Sequence, residues 1–298
     1  MDTIFLKLNN LADTISKELK NIIKENKISL SITVILFGYS DDSYSYLSGM
    51  KKRANGLGID LSIIEFPNDI AEDELIKKIE DVNNIRDSYG LILQNPIPTH
   101  INIDILKDII DYKKDIDGVT SYNQGRLFNK KPFIIPATAW AVDMSLLFIS
   151  QIFNIELSGL NATIIGRSTT VGLPSFHLLL KRNITPTIVH TKTKNIKDIT
   201  SKADIVVACC GVPKYIDDSF IKEDCIVIDV GIHYLDNKVV GDVNNDNVSK
   251  ASIVTAVPGG IGAITNLLIF ANAIKSYFII NNGIEYKFQF EVRGDIFS

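Results

Sequence analysis

The stretch "NATIIGRSTTVGLPSFHLLLKR", residues 161–182, decides the fold class of this chain. Its apolar start has the length of a strand and stops at Gly166, and a helical pattern begins at Gly172 with Pro174 in its first turn. Proline is favoured there because a first-turn N–H has no intrahelical acceptor. A helix that begins in this way presents free N–H groups and the positive end of its dipole to a phosphate. The stretch therefore predicts a strand, a tight loop and a helix that can hold a phosphate group.

The glycine pattern of this loop is incomplete. The usual dinucleotide fingerprint is G-x-G-x-x-G, and Ser168 stands at its middle glycine. The loop by itself is therefore a weak signal, and an ordinary turn between a strand and a helix is the alternative.

The end of the next strand discriminates between the two nicotinamide cofactors. NAD-specific sites place Asp or Glu at this point to bind the ribose 2′-hydroxyl. The stretch "TIVHTKTKN", residues 187–195, contains no acid but offers Thr191 and Lys192, and Arg167 lies in the preceding loop. Cations and hydroxyls suit a 2′-phosphate, whereas the alternative is a solvated run of lysines. We expect NADP as the cofactor, with NAD as the second choice.

Apolar runs of strand length alternate with helical patterns in two parts of the chain. The runs at 31–38, 61–67 and 90–96 are each followed by a helical pattern, and a fresh series begins at 161. Apolar strands between helices indicate a parallel sheet that is covered on both faces. The sequence therefore predicts an α/β fold of two domains, with a boundary in the region 140–158.

Composition narrows the class of protein. The chain has 298 residues, is 46% hydrophobic and carries a net charge of −4, so a sizeable core is expected and a nucleic-acid partner is not. Cys209, Cys210 and Cys225 form no disulfide framework, and no Cys/His grouping has zinc spacing, so no metal site is expected. A cytoplasmic, reducing location fits these cysteines best.

Two predictions concern the end of the chain. The apolar segment 264–280 is interrupted by Asn266, Asn272 and Lys275, so we expect a helix that packs back on the first domain and no membrane partner. The alternation of polar and apolar residues over 286–292 predicts an exposed edge strand.

Several motifs stand in the order of one known family. They are Ser43 and Tyr46 in the first long helix, "LILQNPIP" with Gln94, "KDIDG" with Asp117, "YNQGRL", "GLNATIIGRSTTVGLP", "VIDVGI", "VVGDV" and "AVPGGIGAIT". In these motifs the chain resembles bifunctional methylenetetrahydrofolate dehydrogenase/methenyltetrahydrofolate cyclohydrolase. The resemblance implies tetrahydrofolate derivatives as substrates, a homodimer, and two α/β domains around a cleft. The implied domains are a folate-binding catalytic domain of βα repeats, 1–140 plus 266–298, and a Rossmann-type NAD(P)-binding domain, 141–265.

The resemblance also implies roles for individual residues. Tyr46 would flank the folate ring system, Asp117 would hydrogen-bond the pterin, and Gln94 would lie beside the reacting carbon, so these three are the implied catalytic residues. Further substrate-binding residues would be Ser43, Gly259 and Gly260. The implied cofactor-binding residues are Gly166, Arg167, Ser168, Gly172, Thr191 and Ile232.

One departure from the family pattern affects chemistry. The family has a lysine four residues after its tyrosine, and this chain has Met50. On a helix, a residue at i+4 lies about 40° around from residue i, while one at i+5 lies about 140° around. Lys51 therefore points away from Tyr46 unless a π-bulge shifts the helix register.

The substitution predicts unequal effects on two reactions. Oxidation of the methylene carbon transfers a hydride and needs no base, whereas hydrolysis of the methenyl product needs proton transfers that a thioether cannot provide. We expect an NADP-dependent methylenetetrahydrofolate dehydrogenase with weak or absent cyclohydrolase activity. Two alternatives are the full bifunctional enzyme, with Lys51 or another group in place of the lysine, and a non-catalytic relative that binds folate or nucleotide.

Overall fold

The computed structural model describes residues 2–38 and 40–292, which form two compact units. We call residues 16–135 and 266–288 the three-stranded unit, and residues 2–15, 136–265 and 289–292 the six-stranded unit. The strands of the described residues are β1 (Ile4–Leu6), β2 (Leu30–Phe37), β3 (Ile59–Phe66), β4 (Ser88–Leu93), β5 (Asn161–Ile165), β6 (Thr185–Val189), β7 (Ile205–Ala208), β8 (Cys225–Asp229), β9 (His233–Leu235), β10 (Lys238–Val240) and β11 (Ala251–Thr255). The helices are α1 (Asn9–Glu25), α2 (Asp41–Leu57), α3 (Glu72–Asn84), α4 (Ile103–Ile109), α5 (Ser121–Phe128), α6 (Ala137–Phe153), α7 (Gly172–Lys181), α8 (Ile196–Thr200), α9 (Ile261–Asn282) and α10 (Gln289–Val292).

The three-stranded unit is built on the parallel sheet β3-β2-β4. All six residues of β4 are buried, and seven of the eight residues of β2 are. Leu75 and Ile79 of α3 pack with Leu91 of β4 in one apolar cluster. Continuous apolar strands of this kind are typical of a parallel sheet that helices cover, so the three strands predicted in this part of the chain are confirmed.

The six-stranded unit has one parallel sheet in the order β1-β11-β8-β7-β5-β6, together with the antiparallel hairpin β9–β10. Strand β1 pairs in parallel with β11, with Ile4 opposite Ile253 and Leu6 opposite Thr255. The first residues of the chain therefore belong to this sheet, although the predicted division assigned residues 1–140 to the other domain. Their backbone groups complete the edge of the sheet beside β11.

The late helix, α9, is the longest helix of the described residues and is largely apolar. From residue 266 onwards it belongs to the three-stranded unit, where the Asn272 amide donates to the carbonyl oxygens of Ile116 at 2.9 Å and Ile135 at 2.8 Å. By length and composition alone, α9 passes as a candidate membrane span. However, 72% of its most apolar window is buried in the protein, as in the core helix of a soluble protein.

The end of the described chain is helical, so the prediction of an edge strand over 286–292 is wrong. Residues 289–292 form the single-turn helix α10. Aromatic residues of the alternating pattern make ring contacts: half-buried Tyr286 stacks on Phe278 with centroids 4.4 Å apart, and buried Phe290 packs against Trp140. The alternation thus reflects individual aromatic anchors. Residues 293–298, which the predicted catalytic domain includes, lie outside the described residues.

Candidate active site and nucleotide-binding loop

Helix α2 presents the first predicted substrate residues. Ser40 is its N-cap, and its hydroxyl oxygen accepts a hydrogen bond from the Ser43 N–H at 3.1 Å. The two hydroxyl oxygens are also 3.1 Å apart, and Ser43 is buried. The helix ends at Gly58, which adopts φ +75° and donates its N–H to the last turn. Local hydrogen bonds therefore fix the residues at which α2 begins and ends.

Tyr46 lies one turn into α2 and reaches another element. It is 40% exposed, yet its hydroxyl donates to the Asn266 side-chain oxygen of α9 at 2.7 Å. Burial of the phenol raises the pKa of Tyr46, the nearby charge of Asp117 raises it further, and Arg53 opposes both effects. The structure thus brings Tyr46 and Asp117 together, as the resemblance implies, and adds Asn266 and Arg53 to the group.

Asp117 lies in a loop whose conformation is held by hydrogen bonds to the neighbouring Asp115. The buried carboxylate of Asp115 accepts bonds from Val119 N–H at 3.0 Å and Thr120 N–H at 2.8 Å, and from the Asn123 amide at 2.9 Å. Asp117 itself is partly buried, and within the described ranges 2–38 and 40–292 no protein group donates to its carboxylate. Burial, and then the charge of Asp115, raise the pKa of Asp117 to about 6. This loop therefore holds one satisfied acid and one acid with hydrogen-bonding capacity to spare.

Gln94 directly follows β4. Its N–H donates to the Ile35 carbonyl of β2 at 2.8 Å, and its side-chain amide donates to the Asn95 carbonyl at 3.1 Å. The Asp117 loop joins the same strand through the bridge between Leu91 and Asp115. Gln94 and the Asp117 loop therefore lie near the carboxyl end of β4, the edge at which α/β sheets bind ligands.

Met50 is 1% exposed and sits on the Tyr46 face of α2. The helix is regular α-helix from Asp41 to Leu57, so it contains no π-bulge that would bring Lys51 onto this face. Lys51 and Lys52 are both exposed. The cation that shares the face of Tyr46 is Arg53, because a residue at i+7 lies only about 20° around from residue i. Sequence reasoning missed Arg53, although its spacing was a readable signal.

In the six-stranded unit, the loop between β5 and α7 requires glycine at two positions. Gly166 has φ +141°, and a Cβ there would lie 2.3 Å from the Cys209 carbonyl oxygen. A Cβ on Gly172 would lie 2.3 Å from the Gly166 carbonyl oxygen. The strand therefore ends and the helix begins where the sequence predicts, in a turn with no space for a side chain at Gly166 or Gly172.

Ser168 accepts hydrogen bonds from backbone N–H groups that a ligand could otherwise use. Its hydroxyl accepts bonds from the N–H groups of Val171 at 3.1 Å and Gly172 at 3.3 Å, and its carbonyl accepts the Leu173 N–H at 3.0 Å. The prediction that the helix begins with free N–H groups is therefore wrong for these three. The serine that replaces the middle glycine serves as a cap for the helix instead.

The predicted cofactor residues extend from neighbouring strands of one sheet. Strands β5 and β6 are adjacent and parallel, and the Gly166 N–H donates to the Val189 carbonyl at 2.9 Å. Arg167 after β5 and Thr191 and Lys192 after β6 therefore lie on the same edge, and all three are exposed. This edge of the sheet therefore presents two exposed cationic side chains and one exposed hydroxyl.

Sequence reasoning also missed two buried acids at the same edge. The Asp229 carboxylate accepts bonds from the N–H groups of Gly231 and Val243, both at 3.0 Å, and from Asp242 N–H at 2.9 Å. Burial raises the pKa of Asp229 to about 6 against these backbone bonds. Asp242 in turn contacts the His233 ring nitrogen at 2.7 Å.

Three predicted site residues lie around these loops. Ile232 follows β8 and is 52% exposed. Gly259 has φ +103° and its carbonyl accepts the Leu8 N–H at 2.8 Å, and Gly260 directly precedes α9. All three belong to the six-stranded unit, whereas Ser43, Tyr46, Gln94 and Asp117 belong to the three-stranded unit.

A parallel sheet with a glycine-dependent loop between strand and helix, and a second α/β unit with its own cluster of polar groups, define a two-domain dinucleotide-dependent enzyme. The catalytic-domain family of tetrahydrofolate dehydrogenase/cyclohydrolase matches residues 6–117, and the NAD(P)-binding-domain family of the same enzymes matches residues 136–280. The chain belongs to the tetrahydrofolate dehydrogenase/cyclohydrolase family.

Individual relatives agree with this assignment. A bifunctional protein FolD of Clostridium botulinum (strain Alaska E43 / Type E3) is 40% identical over 271 residues, which are 88% of this chain and 95% of that protein. The FolD methylenetetrahydrofolate dehydrogenase/cyclohydrolase of Campylobacter jejuni is 33% identical, with a TM-score of 0.83 over 92% of this chain and 97% of that one. The Trypanosoma brucei enzyme, solved in complex with NADP and an inhibitor, is 28% identical, with a TM-score of 0.85 over 93% and 98%.

Proposed function

We propose that this protein oxidises 5,10-methylenetetrahydrofolate to 5,10-methenyltetrahydrofolate with NADP. The observation that carries the proposal is the group formed by Tyr46 and Asp117, in which a partly buried carboxylate finds no donor within residues 2–38 and 40–292. A buried carboxylate without donors is costly unless a ligand supplies them. The amino and ring N–H groups of a pterin are donors of this kind.

The residues of the three-stranded unit would bind and orient the folate. Asp117, with a pKa of about 6, is mostly ionised at pH 7 and accepts two N–H groups of the pterin. Tyr46 flanks the ring system and Gln94 lies beside the reacting carbon. Ser43 lies in the first turn of the helix that carries Tyr46, where its N–H donates to the N-cap Ser40.

The six-stranded unit would bind NADP. The tight turn of Gly166 and Gly172 leaves room for backbone to approach the phosphates, and Arg167, Thr191 and Lys192 suit the 2′-phosphate because no acid competes for the ribose there. The NADP complex of the Trypanosoma brucei relative supports this choice over NAD. Ile232 and Ser168 would complete the cofactor site. NADP, when bound, supplies the hydride acceptor.

The dehydrogenase reaction asks little proton chemistry of this chain. The folate nitrogen lone pair stabilises the cation left on the methylene carbon, so no proton has to leave. The work of the protein is to hold the folate in one orientation and to keep its reacting carbon in place, which Asp117, Tyr46 and Gln94 would do.

We further propose that cyclohydrolase activity is weak or absent. By the resemblance, Met50 stands where the family has its lysine; Met50 is buried, and a thioether neither accepts nor gives a proton. Lys51 and Lys52 are exposed on other faces of a regular helix. The bifunctional names of the relatives favour the alternative of a full bifunctional enzyme, and the loss of the family's lysine keeps open the alternative of a non-catalytic relative.

An absorbance assay with methylenetetrahydrofolate and NADP separates these candidates. Methenyl product that accumulates is the result we expect from a dehydrogenase that hydrolyses slowly. Product that forms and then clears at an enzyme-dependent rate would establish the bifunctional enzyme. Absence of product at any enzyme concentration would refute the dehydrogenase.

The assembly and location are also proposals. A homodimer rests on the resemblance to the family, and light scattering at micromolar concentration would measure it. The partly buried Cys209 and Cys210 and the buried Cys225 are unpaired, which fits the reducing cytoplasm.

A further inference from the structure

Asn266 is a buried polar residue in an otherwise apolar part of a helix. It lies on the apolar helix α9 and is only 7% exposed. Its side-chain oxygen accepts the hydroxyl proton of Tyr46 at 2.7 Å. A buried carboxamide is costly unless its atoms are hydrogen-bonded, so this bond accounts for an asparagine at a position that an apolar residue would otherwise fill.

The hydroxyl of Tyr46 finds its hydrogen-bond acceptor on another helix. The residue one turn further on α2 is Met50, whose thioether is a weak acceptor. The phenol remains protonated across the working pH range, because its pKa is raised, and it therefore remains a donor. The bond to Asn266 fixes the end of the tyrosine ring that is farthest from the backbone.

Helix α9 supports the other side of the same group. Asn272, fully buried on this helix, donates to the Ile116 carbonyl, and Ile116 directly precedes Asp117. One helix thus carries two buried amides, one bonded to Tyr46 and one bonded to the loop that presents Asp117. Asn266 acts on Tyr46 itself, and Asn272 bonds the residue that precedes Asp117.

We propose that Asn266 is a positioning residue of the folate site, which holds the ring of Tyr46 against the pterin by accepting the hydrogen bond of its hydroxyl. The inference rests on the proposed function and adds to it a residue that determines how the substrate is oriented. Asn266 acts through Tyr46 and needs no contact with the reacting atoms.

A double-mutant cycle tests this role. We expect Asn266→Ala to raise the KM for methylenetetrahydrofolate about tenfold, to change kcat less than threefold, and to leave the KM for NADP within twofold, given the usual size of one hydrogen bond. Tyr46→Phe removes the hydroxyl, so adding Asn266→Ala to Tyr46→Phe should have no further effect on the folate KM. Asn281→Ala, on the exposed end of the same helix, is the matched control.

Two outcomes would overturn the role of Asn266. Additive effects in the cycle would mean that Asn266 does not act through the Tyr46 hydroxyl, and an unchanged folate KM in Asn266→Ala would mean that the bond is not used. Thermal unfolding of each variant shows whether a loss of folding causes the changes. A parallel rise in the KM for both substrates would also refute a role specific to folate.

Calorimetric titration with tetrahydrofolate separates this inference from the proposed reaction. If the wild-type protein makes no methenyl product but binds tetrahydrofolate, with affinities that follow the same non-additive cycle, the dehydrogenase proposal fails and the role of Asn266 stands. If the wild-type protein turns over and the cycle is additive, only the role of Asn266 fails. If tetrahydrofolate does not bind at all, both fail.

Discussion

Replacing Met50 by lysine tests whether this position separates the two reactions of the family. Met50→Lys puts an amine one turn from Tyr46, on the same face of α2, where the side chain is now 1% exposed. A positioned acid–base group contributes about 10²–10⁴-fold to a rate. We therefore expect hydrolysis of methenyltetrahydrofolate to rise about 100-fold, the lower end of that range, while dehydrogenase turnover changes less than threefold.

We expect a rate gain at the lower end of this range because the surroundings of Met50 affect the pKa of an introduced lysine. Burial lowers the pKa of an introduced amine, and the positive charge of Arg53, one turn further on, lowers it too. The charge of Asp117, which acts on Tyr46, opposes them. An amine with a pKa near 7 can exchange protons at neutral pH. The same burial is expected to lower the unfolding free energy by about 2 kcal/mol.

The assay follows the loss of methenyltetrahydrofolate absorbance in variants that have passed a thermal-unfolding check. Met50→Leu is the matched control, since it keeps an apolar side chain of similar volume and should leave both rates unchanged. Lys51→Met should be nearly silent because Lys51 is exposed on another face. A folded Met50→Lys without any gain in hydrolysis would refute our account of this position. Loss of an existing cyclohydrolase activity in Lys51→Met would refute the assignment of the faces of α2.

Three further predictions concern the cofactor, the pterin and the phosphate loop. Arg167→Ala should raise the KM for NADP at least tenfold and that for NAD less than threefold, since only NADP carries the 2′-phosphate; equal losses, measured by steady-state kinetics, would count against the assignment. Asp117→Asn should raise the unfolding midpoint at pH 7 but not at pH 4. The reason is that the folded pKa of about 6 lies above the ordinary value of 3.8, so the wild-type protein loses stability as pH rises between the two values. The same variant should lose folate affinity in calorimetry, and intact affinity would remove Asp117 from the site. Gly172→Ala should abolish NADP binding in fluorescence titration, because its Cβ meets backbone at 2.3 Å; normal binding would show that the turn can widen.

Sequence patterns predicted those features that depend on local chemistry. The apolar runs located the three strands of the smaller sheet and the strand β5 at which the second series begins, because strands of a covered parallel sheet are rich in apolar residues. Gly166 and Gly172 marked a turn, and the structure shows why: each Cβ would collide with a backbone oxygen. The spacing of Met50 and Lys51 predicted which side chain shares the face of Tyr46, and the regular helix agrees. The exposure of Lys51 follows from the same geometry.

Features that depend on distant contacts could not be predicted from the sequence. The pairing of β1 with β11 joins Ile4 to Ile253, far apart along the chain, and a run of three strand residues carries no sign of its partner. The tail near 289–292 alternates like a strand but is held by aromatic contacts. Asn266 was read as an interruption of an apolar run, because nothing in the sequence shows that Tyr46 lies opposite. Ser168 was read as a lost glycine, since its capping bonds exist only once the turn has closed.

Arg53 completes the argument about the two reactions. It shares the face of Tyr46, and its charge acts on the phenol, so a positive charge is present near the proposed folate ring even though Met50 carries none. A guanidinium, however, keeps its proton at every pH at which the protein works. It can orient a ligand and stabilise negative charge, but it cannot take a proton from water. Hydride transfer needs only the first of these abilities and hydrolysis needs the last. Met50 and Arg53 therefore leave this face of α2 with a positive charge but without the amine that the proposed loss of cyclohydrolase activity turns on.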